Sequence, residues 1–360
     1  MSEAFQVATA APAARTLIAC IDPLLDSAGW DAELAACPDT SFFHGAAWAR
    51  VLHGAYGFRP AYFTARLAGR LRSVLPLMEV DSWLTGRRGV ALPFTDECAP
   101  VGVQSDSFPG LYQAALAHAE RRGWRYLEFR GGRPLFGEAP PSSSYFGHRL
   151  DLQGGEAALL ARCESSVRRA IRKAGQAGLT IEFSRELESV RDFHRLLRRT
   201  RKRHGVPPQP FSFFAGIHRH ILAPGHGWVV LARQAGTPVA GAVYFRHGRT
   251  VTYKYGASDE AFQHLRANNL VMWEAIRRHA QEGFTALDFG RTSLENAGLR
   301  KFKLGWGAVE HRIDYVRYDR RTRGFAAAAD RAHGWHTRLF KLLPDPILRS
   351  IGAALYKHVA

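Results

Sequence analysis

Two pairs of segments repeat the same order of apolar and polar positions along the chain. Residues 61–79 and 228–246 each contain an apolar run, an Ala-Gly step and a second apolar run, which predicts two strands joined by a tight turn. Residues 111–131 and 270–290 each contain an apolar pattern of helical period, a glycine and then an apolar strand. Glycine is expected just past a helix end because it adopts the left-handed conformation without strain. The glycines concerned are Gly123 and Gly283.

Each half therefore predicts a strand, a turn, a second strand, a third strand, a helix and a further strand. A strand meander that leads into a helix and another strand is typical of an α/β fold with a mixed sheet. Residues 131–147 are rich in Gly, Pro and Ser, and we expect a connecting loop there. The domains predicted are an N-terminal half over 1–150, a C-terminal half over 151–324 and a tail over 325–360.

Composition supports a globular protein of two domains. The chain has 360 residues, of which 46% are hydrophobic and 22% charged. Its four cysteines, at positions 20, 37, 98 and 163, are too scattered for a redox pair, a zinc cluster or a disulfide framework, and we expect no bound metal.

The N-terminal residues lack the pattern of a signal peptide, and no run is apolar enough to span a membrane. We therefore expect a cytoplasmic protein.

The charge is strongly basic, with a formal net charge of +17. Residues 162–203 alone contain 13 Lys and Arg against 5 Asp and Glu, a local excess of +8. One interpretation is a solvated basic surface. The other is a polyanionic partner, such as tRNA, a nucleotide sugar, a lipid pyrophosphate or an acidic membrane face.

Four segments of the second half resemble the FemAB aminoacyltransferases and their acetyltransferase relatives in the GNAT superfamily. They are SSVRRAIRKAGQAGLTIE (165–182), RTRKRHGVPPQPFSFF (199–214), YKYGASDEAFQHLRANNLVMWEAI (253–276) and LDFGRTSLENAGLRKFKLGWGAV (287–309). The last is the most specific, and the resemblance extends over roughly residues 40–320. It implies two tandem GNAT-like domains, each a mixed, mostly antiparallel sheet flanked by helices.

The resemblance also implies an activity, the transfer of an acyl or aminoacyl group to an amine. The donor would be acyl-CoA or aminoacyl-tRNA, used as a co-substrate and not as a bound cofactor. The acceptor would be an amine on a sugar or peptide precursor, in peptidoglycan, other cell-envelope or exopolysaccharide synthesis.

Candidate catalytic residues lie on strands 250–258 and 286–291 and in the segment that follows. Acyl transfer needs stabilisation of an oxyanion and removal of a proton from the amine. Lys303 is the first choice for the cation, and its position resembles the lysine that Fem enzymes place near the donor ester. The alternative for it is a surface lysine on a basic loop. Asp288 and Asp259 are candidate bases if their pKa is raised, and the alternative is loss of the proton through water without a dedicated base. Tyr255 is a further candidate, and the alternative for it is packing in a strand.

The candidate donor site lies at the start of the helix within 263–276. Acetyl-CoA enzymes usually carry glycines there, but residues 263–268 contain none. Side chains could bind an anion instead, although Asn268 or Asn269 could equally be the helix N-cap. The donor-binding candidates are Arg266, Asn268, Asn269, Arg291 and Phe302.

The candidates for binding the acceptor or its phosphate come from both halves. Asp96 resembles the acidic position near the acceptor in this family, with a turn carboxylate that caps its own backbone as the alternative. Arg168, Arg172 and Lys173 lie on one basic helix. Arg201 lies in the cluster 199–208, which ends in a rigid Pro207-Pro208 turn and which we expect to be a recognition loop. Arginine suits phosphate because it binds two oxygens at once. The alternative for each is a solvated surface.

Other classes of function have less support. No helix-turn-helix, zinc-finger, Walker, GxGxxG or GxSxG motif is present, so we expect no DNA binding. The alternative function is a non-catalytic RNA- or polyanion-binding protein that keeps the tandem GNAT fold. The tail over 325–360 is basic and apolar, and it fits either peripheral contact with the inner face of the membrane or packing against the protein.

Overall fold

The structure is a computed structural model, and it describes residues 16–103, 107–327, 340 and 343–358. Most of the strands belong to repeated meanders, as the alternating patterns predicted. In chain order they are β1 (Thr16–Ile21), β2 (Arg59–Leu67), β3 (Arg70–Val80), β4 (Arg88–Val90), β5 (Tyr126–Arg130), β6 (Ser143–Asp151), β7 (Leu179–Ser184), β8 (Gly227–Gln234), β9 (Thr237–His247), β10 (Thr250–Ser258), β11 (Ala286–Ser293), β12 (Val309–Asp319) and β13 (Gly324–Ala326).

The helices connect and cover these strands. In chain order they are α1 (Ser27–Leu34), α2 (Ala46–Tyr56), α3 (Phe108–Arg122), α4 (Gly155–Arg162), α5 (Ser165–Gly175), α6 (Leu187–Arg203), α7 (Phe211–Ile217), α8 (Ala267–Gln281), α9 (Ala297–Leu304) and α10 (Asp345–Leu355). Short helical turns occupy residues 42–44, 133–136, 218–222 and 260–265. Gly123 and Gly283 follow α3 and α8 with φ of +66° and +86°, which confirms both predicted helix ends.

All these strands form one mixed sheet of 13 strands in the order β1-β2-β3-β4-β5-β12-β6-β11-β10-β9-β8-β7, with β13 beside β12. Only β4–β5 and β10–β11 pair in parallel, and the other neighbours are antiparallel. The α/β class and the mostly antiparallel sheet flanked by helices are therefore confirmed. The repeated order of strand, strand, strand, helix and strand is β2-β3-β4-α3-β5 in the first half and β8-β9-β10-α8-β11 in the second.

The two halves exchange their closing strands. β6, which follows β5 in the chain, pairs with β11 and β12 of the second half, whereas β12 lies between β5 and β6. The predicted loop over 131–147 is therefore wrong at its end, since residues 143–147 belong to β6. The Gly, Pro and Ser content predicted a loop, but residues 143–147 form a strand because they pair with strands that are distant in sequence. The proposed division at residue 150 falls inside β6 and stays a prediction.

The apolar core has three parts. One lies under α3 in the first half, and one lies under α8 in the second. The third contains side chains from both halves, including Trp48 and Phe58 of the first and Phe213 and Phe245 of the second. This shared core buries apolar area at the junction and so holds the halves together.

The described part of the C-terminal tail packs against the protein. α10 buries Leu348, and Gly352 lies so close to the Pro208 carbonyl that a Cβ atom would clash with it. Arg198 of α6 pairs with Asp345 at the start of α10. These contacts favour the packing alternative for residues 343–358. The rest of the tail after residue 327, apart from Phe340, lies outside the described residues.

Candidate active site

The two parallel strands of the second half separate part-way along their length. β10 and β11 pair through three residues each, and Thr252 opposite Asp288 is the last pair. Each strand has a β-bulge just beyond: Lys254 is the extra residue of β10, and β11 has one extra residue between Asp288 and Arg291. Bulges bend a strand and redirect its side chains. The divergence therefore opens a gap in the sheet, bordered by the strands that the sequence indicated.

Lys303 of α9 places its ammonium against the bulge of β11. Its Nζ donates hydrogen bonds to the carbonyl oxygens of Gly290 (2.9 Å) and Arg291 (3.1 Å). The residue is 2% exposed. Among the residues that the structure describes, no carboxylate forms an ion pair with it, although Asp96 at the same bulge pairs with other cations. An ammonium has three N–H donors, so one remains for a ligand.

The surroundings of Lys303 also change its acidity. Burial lowers its pKa to about 8, and the attraction of Asp96 and Asp288 offsets only part of this effect. A buried cation without a carboxylate partner costs several kcal/mol of desolvation. Such a group is suited to an anionic ligand or to a negative charge that develops on a ligand.

Lys254 is a residue of the site that the sequence analysis missed. Its Nζ donates to Asp96 Oδ2 (2.9 Å) and to the Phe94 carbonyl oxygen (2.7 Å). The ammonium also lies 5.1 Å from the ring centre of Phe43 and 5.8 Å from that of Trp48. The available signal was a lysine between two tyrosines in an apolar strand, a position that needs a buried partner.

Asp96 brings the first half to the gap. It lies in the loop that leaves β4, and Arg291 approaches its carboxylate at 3.9 Å. Burial acts to raise the pKa of Asp96, but the charges of Lys254 and Arg291 outweigh it, and the pKa lies below its usual value. Gly290, with φ of +66°, permits this approach, because a Cβ atom there would lie 2.8 Å from Asp96 Oδ2.

Arg291 is held in place by aromatic side chains. Its guanidinium donates to the Tyr315 hydroxyl (2.7 Å) and lies 4.3 Å from the ring centre of Tyr145. The Tyr315 hydroxyl in turn donates to the Asp96 backbone carbonyl (2.7 Å). Tyr145 and Tyr315 belong to β6 and β12, so the exchanged strands build this side of the gap.

A cavity of about 440 Å³ lies between the halves on the side of Asp288. Asp288 accepts a hydrogen bond from the Gly290 N–H (2.7 Å), but burial raises its pKa. Burial also lowers the pKa of His44 to about 4, so this imidazole is neutral near pH 7. The lining residues are Asp39, Thr40, Ser41, Phe42, Phe43, His44, Glu97, Ala99, Val101, Arg149, His247, Thr250, Thr252 and Asp288.

Two further cavities meet at Phe302, on the side of α8 and α9. The inner one, of about 210 Å³, is lined partly by apolar side chains and lies along β10 beyond the divergence; Asn268 also lines it. The outer one, of about 540 Å³, is basic, and its charged lining residues are Glu164, Arg169, Lys173, Arg266 and Lys301; Asn269 also lines it. A narrow cleft with a cationic mouth suits a ligand that has an apolar arm and a phosphate-bearing end.

The N-cap alternative for Asn268 and Asn269 is wrong. α8 begins at Ala267, and its N-cap residue is Arg266 in the left-handed conformation, with φ of +57°. Both asparagines therefore lie inside the first turn, where their side chains are free to face the cavities. The turn over 260–265 brings the chain to the helix without the expected glycines.

Tyr255 does not lie where the sequence analysis predicted it. Tyr255 is 8% exposed and packs on Phe214 in the shared core, with ring centres 5.4 Å apart, and so does not face the gap. The bulge at Lys254 interrupts strand alternation, so the Lys254 ammonium lies 5.5 Å from the Tyr255 ring centre; the lysine reaches Asp96, whereas the tyrosine ring packs in the core.

The basic segments are also arranged differently from the prediction. Arg168 donates to the Cys163 carbonyl (2.6 Å) at the end of α4, and Arg172 is exposed outside the cavities described. Arg169 and Lys173, one helical turn apart, line the outer cavity instead. Arg201 continues α6, which ends at Arg203, so that cluster is not a loop before residue 204.

The family comparison matches this part of the chain. Residues 161–308 match the family described as Acetyltransferase (GNAT) domain. The matched residues include Lys254, Asp288, Arg291 and Lys303, whereas Asp96 lies outside them. No curated protein matches the sequence significantly.

Solved structures share the fold over most of the chain. "Crystal structure of FemX" matches at 16% identity and a TM-score of 0.66, and covers 80% of this chain and 95% of its own. The C-terminal domain of a putative lysylphosphatidylglycerol synthetase from Agrobacterium fabrum matches at 16% identity and a TM-score of 0.51, with 75% and 86% covered. A tandem GNAT protein from the clavulanic acid biosynthesis pathway matches at 12% identity and 0.53, with 85% and 98% covered. The predicted resemblance in fold is confirmed.

Within the described ranges, no three His, Cys, Asp or Glu side chains are grouped as a metal site would need. None of the helices in those ranges combines the length and apolar character of a membrane span.

Proposed function

We propose that this chain is an N-acyltransferase that moves an acyl or aminoacyl group from a thioester or ester donor to an amine. One observation carries the proposal: the buried Lys303 ammonium has an unused donor at the gap between β10 and β11. The two-part cleft at Phe302 lies on one side of the divergence, and the cavity beside Asp288 lies on the other. A donor and an acceptor could therefore meet there.

The donor is acyl-CoA or aminoacyl-tRNA, used as a co-substrate. Both carry phosphates, which in acyl-CoA are separated from the thioester by the pantetheine arm, and Arg169, Lys173 and Arg266 line the mouth of the cleft. The acyl end would extend past Phe302 along β10. Beyond Thr252, the edge of β10 has no pairing with β11, so a donor carbonyl can lie there.

The chemistry assigns one role to each charged group. The amine nitrogen attacks the donor carbonyl carbon, a C–N bond forms, and the negative charge on the carbonyl oxygen is stabilised by the free N–H of Lys303. Asp288, whose pKa is raised by burial, takes the proton that the amine loses. The C–S or C–O bond then breaks, and the thiol or hydroxyl leaves with the electron pair and a proton returned from Asp288.

The acceptor is an amine on a sugar or peptide precursor. Glu97 and Asp288 line the acceptor cavity and would attract its ammonium before the proton is lost. Relatives in fold that are named FemX and lysylphosphatidylglycerol synthetase support a role in cell-envelope synthesis, either of peptidoglycan or of an exopolysaccharide.

A second candidate is a polyanion-binding protein without catalysis, for which the basic excess over residues 162–203 is the favouring observation. A binder would not need a buried, unpaired lysine at a strand divergence. Its affinity for RNA would depend on exposed cations such as Lys202, and not on Lys303.

The deciding experiment combines calorimetry and turnover. Acetyl-CoA, a longer acyl-CoA and a charged tRNA are titrated into wild type, Lys303→Met and the exposed-lysine control Lys202→Ala. We expect wild type to bind one donor class and to transfer its acyl group to an amine. Lys303→Met should keep donor binding but lose about 10²–10³-fold in turnover, as when one oxyanion donor is removed.

Tight RNA binding with no transfer from any donor, and no effect of Lys303→Met, would favour the polyanion-binding alternative. If Lys202→Ala impaired acyl transfer as strongly as Lys303→Met does, the result would contradict the role given to Lys303.

A further inference from the structure

An apolar pair is exposed at the turn between β3 and β4. Trp83 is 83% exposed and Leu84 is 53% exposed. Of the other tryptophans that the structure describes, five are buried and Trp228 is half-buried, so Trp83 is an exception. Single exposed apolar residues need no explanation, but an adjacent Trp-Leu pair at a turn tip is typical of an interaction site.

The turn is ordered by hydrogen bonds. Ser82 Oγ accepts from the N–H groups of Leu84 (3.2 Å) and Thr85 (3.0 Å), and the Gly86 N–H donates to the Ser82 carbonyl (2.7 Å). These hydrogen bonds fix the conformation of the turn, and in this conformation Trp83 and Leu84 are exposed. A preformed tip lowers the entropy cost of binding.

The end of the C-terminal tail anchors the same turn. The His358 ring bonds to Ser82 Oγ (2.9 Å), and the buried Arg88 donates to the His358 carbonyl (2.7 Å). The Trp83 ring meets the His358 ring edge-on, with centroids 5.4 Å apart. The tip and the last described residues of the tail thus form one surface.

This surface is basic. Arg87 is part of the turn, Arg125 donates to the Thr85 carbonyl oxygen (3.4 Å), and Lys357 is exposed next to His358. Asp81, which pairs with Arg87, is the one acidic residue within 81–87. Basic side chains beside an exposed Trp and Leu match a bilayer with anionic headgroups, where tryptophan prefers the boundary between headgroups and acyl chains.

We infer that the 82–87 turn docks this protein on an anionic membrane surface, with Trp83 and Leu84 inserted among the headgroups and Arg125 and Lys357 on lipid phosphates. This inference does not depend on the acyl-transfer proposal. The occupant is a lipid surface and not a protein groove, because the pair projects from a narrow tip surrounded by cations. A second copy of the chain, with its net charge of +17, would be repelled.

The test is sedimentation of the full chain with vesicles of phosphatidylcholine alone or mixed with phosphatidylglycerol. We expect binding only to the mixed vesicles, and release at high salt. The Trp83→Ala/Leu84→Ser variant should bind about ten-fold more weakly or worse, because burial of one large apolar side chain contributes at least the free energy of a tenfold change. Arg125→Gln should weaken binding about five-fold at low salt.

A matched control is Leu25→Ser/Val309→Ser, which removes two apolar side chains exposed elsewhere, by 88% and 72%. It should bind as wild type does. Trp83→Phe keeps an apolar tip but should abolish the blue shift of tryptophan emission on vesicle binding. All four positions changed in the apolar variants are exposed, so each variant should melt as wild type does.

Equal binding of the Trp83→Ala/Leu84→Ser variant and wild type to the mixed vesicles would overturn the inference. So would equal binding to neutral and anionic vesicles. Self-association that is lost in the same variant, without any vesicle binding by wild type, would assign the tip to a second copy instead.

Discussion

At the scale of single residues, two titratable groups border the gap, and burial moves their pKa values in opposite directions. Burial lowers the pKa of Lys303 to about 8 and raises that of Asp288. Paired groups of this kind identify an acid and a base in many enzymes. The proposed reaction needs a charged Lys303 and an ionised Asp288. Activity should therefore require a pH that lies above the pKa of Asp288 and below the pKa of Lys303.

We therefore expect a bell-shaped pH profile of kcat/KM. The acidic limb should lie above the ordinary range of a carboxyl group, and the alkaline limb should fall through about pH 8 as Lys303 loses its proton. Lys303→Arg, if active, should lose the alkaline limb because a guanidinium stays charged. Activity that keeps rising above pH 9 in wild type would contradict the role of the Lys303 cation.

The same pKa shift predicts a stability effect with a defined sign. An unfolded lysine keeps its proton to about pH 10.4, so between pH 8 and that value the unfolded state binds more protons than the folded state. The free energy of unfolding should therefore gain a contribution as pH rises through this window. Lys303→Met should lack that contribution in denaturant titrations at several pH values, whereas Lys202→Ala should keep it.

The ion pair of Asp96 and Lys254 gives a further residue-scale prediction. Removing the negative charge by Asp96→Asn leaves a buried ammonium without an anionic ion-pair partner, and should lower the free energy of unfolding by about 3–5 kcal/mol. Glu188→Gln breaks an exposed pair and should change it by less than about 1 kcal/mol. Chemical denaturation measures both. Equal effects would mean that the Asp96 pair is solvated.

At the scale of elements, α10 and the residue after it pack against the loop that carries Asp96. Its neighbour Tyr356 donates to the Pro207 carbonyl (3.0 Å), and the ring packs on Phe94 with centroids 5.6 Å apart. Phe94 itself accepts the hydrogen bond from Lys254. The close approach at Gly352 lets α10 lie against Pro208.

Gly352→Val should therefore displace α10, whereas Ala354→Val in the same helix points to solvent and should not. Overpacking of this kind costs about 1–3 kcal/mol. Denaturant unfolding and limited proteolysis within 343–358 measure the effect, and only Gly352→Val should be cut faster. If both variants resist protease as wild type does, α10 does not depend on the Gly352 contact.

At the scale of the whole molecule, the exchange of β6 and β12 makes the two halves depend on each other. β11 loses its antiparallel partner without β6, and β5 loses one without β12. The core around Trp48 and Phe213 would also be exposed in either half alone. Because both halves share a sheet and a core, we expect one cooperative unfolding unit.

Calorimetry of the full chain should therefore show a single transition whose calorimetric and van't Hoff enthalpies agree. Residues 1–150 and 151–360 expressed apart should be poorly soluble, and co-expression should restore a folded complex. Two well-separated transitions, or a stable, folded half, would show that the exchange of strands contributes little.

Much of this architecture was predictable from local pattern. The strand and helix repeats, the glycine helix ends and the positions of Lys303, Asp288, Arg291 and Asp96 follow from periodicity and resemblance. Lys254 was missed because a bulge, which no periodicity reveals, decides which way it points. Tyr255 was misplaced for the same reason. Arg168 and Arg172 were misplaced because a different face of their helix, with Arg169 and Lys173, lines the cavity.

The sequence by itself determined most of the elements, the mixed α/β class, the repeated pattern of the two halves and the basic character, because these depend on interactions close along the chain and on composition. Only the tertiary structure decided which strands are neighbours, where the gap opens and which cations meet which carboxylates. Asp96 and Lys254 are 158 positions apart, and their pairing depends on a loop, two bulges and the exchange of β6 and β12. Such contacts arise from packing between segments that are distant in sequence, and the pattern of residues along the chain does not predict them.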